Sequence, residues 1–166
     1  MATLTVTLTE SITMDAAYGG DTISKSNVAS ITGINQVMSR VFTCPAADGG
    51  ISGTTIAKFS AAANTTDGAT AIDLENTKYI RVTNLDSSNS VTLSLQISND
   101  EDGAADHSTS ILLEAGKSFM MGTPHDGIAT SDANANVITT LVDLESLIVD
   151  PAANDVAVEL FIAGAV

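Results

Sequence analysis

The chain has 166 residues, with 20 acidic side chains against 6 basic ones and a formal net charge of -14. That charge argues against nucleic acid and anionic membranes as partners, since both are bound through Lys and Arg. With 44% apolar and 16% charged residues the chain is too hydrophobic to be disordered, and the lone Cys44 excludes an intramolecular disulfide.

The N-terminus lacks the basic region and continuous apolar run of a secretory signal, so it is expected to belong to the fold. No stretch reaches the 18 or more consecutive apolar residues of a spanning helix. Instead, Leu4, Val6 and Leu8 alternate with Thr3, Thr5, Thr7 and Thr9, a strand with one apolar and one hydroxyl face. Gln36 to Cys44 places Val37, Ser39, Val41 and Thr43 opposite Met38, Arg40, Phe42 and Cys44, and Pro45 ends the run. Ile56–Phe59 is a shorter strand, followed by a loop over Ala61–Ala69.

Tyr79–Asn84 and Val91–Ile97 read as a hairpin around the turn Asp86-Ser87-Ser88-Asn89, whose side chains bond locally to the backbone. Ile111–Glu114 and Lys117–Met121 flank the turn Ala115-Gly116. Gly122–Asn136 is a long loop. Val137–Val149 carries both helical spacing and β-branched residues, and is read as two strands with a bend near Asp143–Glu145. Asp150–Asp155 is a proline turn, and Val156–Ile162 alternates as the last strand. Eight to ten short strands with no composition break predict one all-β domain over residues 1–166. The expected architecture is an antiparallel β-sandwich of jelly-roll-like type.

Chemistry is sparse. Asn99-Asp100-Glu101-Asp102-Gly103, with Asp106 and His107 near, offers oxygen ligands ahead of a glycine. It lacks the D-x-D-x-D-G spacing of a calcium loop and has Ile111 at position 12, so a solvated loop is favoured. His107 and His125 fall in separate predicted loops without zinc spacing, and both are read as exposed. Gly50-Ile51-Ser52-Gly53 does not satisfy G-x-S-x-G, and Cys44 beside Phe42 reads as a small buried hydrophobe. Asn64-Thr65-Thr66 fits a glycosylation acceptor but reads as a polar loop. Tyr79 and the phenylalanines are expected in the core, leaving Tyr18 beside Gly19-Gly20 as the exposed ring. No catalytic, cofactor-binding or metal residue is assigned, and an enzyme is not expected.

Lys78-Tyr79-Ile80-Arg81-Val82-Thr83-Asn84-Leu85-Asp86, Val91-Thr92-Leu93-Ser94-Leu95 and Leu113-Glu114-Ala115-Gly116-Lys117-Ser118-Phe119-Met120 follow one another in the chain. This succession resembles small β-sandwich virion proteins of tailed bacteriophages. The opening Leu4-Thr5-Val6-Thr7-Leu8-Thr9-Glu10-Ser11-Ile12 is similar to structural proteins of marine and cyanobacterial phages. The resemblance implies a capsid decoration or cement protein made in the host cytoplasm and carried on the virion. It implies the major capsid protein or other virion subunits as partners, and a homo-oligomer, with a trimer as one form. A neck, tail or fibre component, or a receptor- or glycan-binding β-module, is the alternative. The apolar segment Phe161–Val166 is expected to be covered by a neighbouring subunit.

Overall fold

The computed structural model describes residues 1–46, 53–60, 72–97, 107–130 and 137–165. The strands are β1 (Ala2–Thr13), β2 (Thr22–Ile34), β3 (Gln36–Cys44), β4 (Thr54–Ser60), β5 (Ile72–Asp73), β6 (Thr77–Asn84), β7 (Val91–Ile97), β8 (His107–Leu113), β9 (Ser118–Gly122), β10 (Leu144–Pro151) and β11 (Val156–Gly164). One 3-10 turn, Ala16–Tyr18, joins β1 to β2, and the described residues contain no α-helix.

The pairing is nested. β3 pairs with β11, β4 with β10, β6 with β9 and β7 with β8, all antiparallel. A four-tier ribbon paired in this way and wrapped on itself gives two sheets, ordered β3-β11-β6-β9 and β4-β10-β7-β8. Two such four-stranded sheets make a jelly roll. Two-residue β5 extends the second sheet by lying parallel to β4.

Several consecutive strands therefore sit in opposite sheets, while β7 and β8 form a hairpin within one. The Asp86–Asn89 turn carries the chain from β6 in one sheet to β7 in the other, so the expected hairpin is an arch. The β8–β9 turn is a second arch of the same kind. Both strands of each arch alternate toward a shared interior, which is why a pattern reading alone suggests that they pair. Ile80, Val82, Leu93, Leu95, Leu147, Val149, Val158 and Leu160 meet there, each at most 1% exposed. At Gly53, φ is +78° and an added Cβ would lie 2.8 Å from the Val149 carbonyl oxygen, so only glycine fits as β4 begins.

Other sequence expectations are also corrected. β2, rich in Ser, Thr and Asn, is a 13-residue strand where none was expected. Val137–Asp143 is irregular apart from a bridge between Ile128 and Val142, so only one strand, beginning at Leu144, follows it. Tyr79 and Phe161 lie half-buried on the outer face of the β3-β11-β6-β9 sheet, packed edge-to-face at 6.2 Å, and are not core. The C-terminal apolar segment is not a free edge: β11 runs between β3 and β6, and Ile162, Ala163 and Gly164 are buried. Cys44 is fully buried and Tyr18 is 76% exposed, as read from the sequence.

Candidate functional site

β1 and β2 form a separate two-stranded sheet that pairs with neither sheet of the jelly roll. Twelve extended residues span about 40 Å, so this arm is longer than any strand of the sandwich. Its register sorts the side chains by chemistry. Leu4, Val6, Leu8 and Ile12 share one face with Ile31, Ala29, Asn27 and Ile23 directly opposite. The other face carries Thr3, Thr5, Thr7, Thr9, Ser11 and Thr13 against Thr32, Ser30, Val28, Ser26, Ser24 and Thr22.

Cross-strand contacts hold the ribbon. Glu10 faces Lys25, Ile12 faces Ile23, and hydroxyls meet between Thr9 and Ser26 (3.4 Å) and between Thr13 and Thr22 (3.3 Å). At the tip, the Asp15 carboxylate accepts the Ala17 N–H at 3.2 Å, and Gly19 takes a left-handed conformation that closes the turn. Tyr18 stands exposed beside it.

Only the base of the arm meets the body. Leu4, Val6 and Ile31 are half-buried and Ile34 is buried, whereas Leu8, Ile12 and Ile23 are about half exposed. A groove of about 470 Å3 runs between Leu4, Val6 and Leu8 and the outer sheet face of Tyr79, Met120 and Phe161. Arg81 also lines this groove. Its guanidinium lies 5.7 Å over the Phe161 ring, and one of its nitrogens donates to Glu159 at 2.5 Å. That bond anchors the cation in a groove whose other lining is apolar side chains and the hydroxyls of Thr5, Thr7 and Ser118.

A second constellation lies in the β9–β10 connection. Thr123 and Asp126 both hold positive φ, 50° and 48°, and at Gly127 an added Cβ would lie 1.9 Å from the Thr123 carbonyl oxygen. The left-handed conformation at Asp126 turns its side chain back toward its neighbour. The His125 Nδ1 then lies 3.4 Å from Asp126 Oδ2, and Nε2 lies 3.8 Å from Asp143 Oδ1. The Asp126 N–H donates to Asp143 Oδ1 at 2.8 Å, and the Leu144 N–H donates to the Pro124 carbonyl at 3.1 Å. His125 is half-buried between two carboxylates, not a free surface ring. Asp143 was read from the sequence only as a bend.

His107 was expected in a loop and instead opens β8, paired with Ile97. The candidate calcium segment Asn99–Asp106, the Gly50–Ser52 stretch and Asn64-Thr65-Thr66 lie outside the described residues. Among the described residues, His125, Asp126 and Asp143 are the group of titratable side chains close enough to share an ion. Comparison of the chain with protein-family models, curated proteins and solved structures finds no match.

Proposed function

We propose that the protein is a non-enzymatic structural component of a bacteriophage virion, a capsid decoration or cement protein that associates with other subunits through the β1–β2 arm. The arm is the observation that carries this reading. A two-stranded hairpin is at best marginally stable alone in water, and both edges and most of both faces of this one are exposed. A partner surface laid on Leu8, Ile12 and Ile23 removes apolar area from water and supplies the support that the ribbon lacks.

Jelly rolls serve as capsid domains and equally as lectins, so the fold is compatible with the reading without singling it out. A net charge of -14 suits a protein made in many copies that must stay soluble until assembly.

The test is co-sedimentation of purified protein with capsids and with tails of the phage that encodes it. Capsid binding at saturating stoichiometry is expected. Binding to tails alone selects the neck, tail or fibre reading, and binding to neither overturns the proposal. The exposed Tyr18 ring at the arm's tip favours one second reading, a glycan-contacting module, because sugars stack on exposed aromatic rings. Glycan-array hits lost in Tyr18→Ala would select it.

A further inference from the structure

We propose that His125, Asp126 and Asp143 form a binding site for a divalent transition ion of the zinc class, which pins the β9–β10 connection to the start of β10. Four observations combine. First, one donor atom from each residue falls within 4.8 Å of the other two. Second, the imidazole–carboxylate separations of 3.4 and 3.8 Å exceed the 2.7–2.9 Å or so of a charge-assisted N–H···O bond. The two separations run to different ring nitrogens, of which only one can ligate the ion, so side-chain rotation brings the three donors from within 4.8 Å to the spacing of about 3.3–3.6 Å around a tetrahedral ion.

Third, the donor set is discriminating. One imidazole nitrogen with two carboxylate oxygens suits zinc or cobalt, while calcium asks for 6–8 oxygens or so. Three protein ligands leave a fourth position for water. Fourth, the two segments that supply the ligands are already held together at the backbone, by the Ile128–Val142 bridge and the Leu144–Pro124 bond. The ion therefore closes a site whose ends are in place.

The site lies apart from the arm and its groove, so this inference does not depend on the virion reading.

The experiment uses untagged full-length protein, stripped with chelator and titrated calorimetrically with zinc chloride, then with cobalt chloride and calcium chloride. One equivalent of zinc is expected, with a rise in Tm of about 5 °C at a hundredfold excess over Kd. Cobalt is expected to give visible d–d absorption, and calcium to leave Tm unchanged. His125→Ala and Asp143→Asn should each weaken zinc binding by tenfold or more, and His107→Ala should not. Circular dichroism of each apo variant accompanies the titration, and Asp143→Asn keeps the side chain's shape. Zinc binding that survives both substitutions in folded protein, or no zinc binding by the wild type, overturns the proposal.

Discussion

Asn84 and Leu113 lie in opposite sheets, and the Asn84 amide joins them, donating from Nδ2 to the Leu113 carbonyl at 3.2 Å. The same nitrogen donates to the Asn89 carbonyl at 2.8 Å, and Oδ1 accepts the Asp86 N–H at 3.0 Å. The side chain is fully buried. A buried amide with three bonds fixes the β6–β7 arch and leaves little polar capacity unmet. Asn84→Ala is expected to cost about 2–3 kcal/mol, since it strands the buried Leu113 carbonyl and removes the partner of the Asn89 carbonyl and the Asp86 N–H in the arch. Urea unfolding of the variant measures this, and a loss under about 0.5 kcal/mol would mean that water replaces the amide.

Asn84 also marks where sequence reading stopped. Gln36–Cys44 was bounded to the residue, because a period-2 pattern ending at proline has no competing interpretation. Val156–Ile162 was legible for the same reason. Pairing partners were not. Strands 91–97 and 79–84 look identical whether they pair with each other or face each other across a core, since both arrangements demand the same alternation. β2 was missed because Ser24, Lys25, Ser26 and Asn27 carry no hydrophobic period, and its partner β1 supplies the pattern. The His125–Asp143 contact was hidden because a loop's path is set by tertiary bonds such as Leu144 to Pro124, which leave no local trace.

The Asp86 turn predicts a pH dependence. Backbone N–H groups of Asn89 and Ser88, each donating at 2.7 Å, hold its carboxyl below the ordinary value of 3.8. A depressed folded pKa means that the unfolded chain takes up the proton first as pH falls. The stabilisation is complete above the unfolded value and is lost as pH falls through the folded one. NMR titration should find Asp86 below the ordinary value of 3.8. Asp86→Asn should flatten stability against pH below about pH 4, where wild type declines. An unchanged slope would assign that decline to other carboxylates.

Cys44 predicts the opposite limb. Burial raises its thiol above the ordinary value of 9.0, with a weaker opposing hydrogen bond from Thr54. The folded state then holds the proton longer than the unfolded one, so this contribution is intact below pH 9 or so and is lost as pH rises through the folded value. At pH 8 the native thiol should resist disulfide reagents and react fully only in denaturant, because the thiolate is the attacking species and the site is closed. Rapid native labelling would require β3 and β11 to separate at Val156, which pairs with Cys44.

The arm allows a substitution test in which fold and association separate. Leu8, Ile12 and Ile23 lie on its apolar face at 47%, 60% and 52% exposure, so none supports the jelly-roll core. Replacing all three with threonine keeps strand preference, since Thr is β-branched, and extends the hydroxyl pattern of the opposite face. Unfolding of the monomer should change by no more than about 0.5 kcal/mol per site. If a partner covers this face, the lost apolar burial amounts to about 4 kcal/mol, or on the order of a thousandfold in Kd. Val28→Thr, on the hydroxyl face at 59% exposure, is the matched control and should bind as wild type. Sedimentation with particles measures both variants. Equal binding by the triple variant and the wild type would move the contact to the groove of Tyr79, Met120 and Phe161, where Leu4 and Val6 keep their own packing.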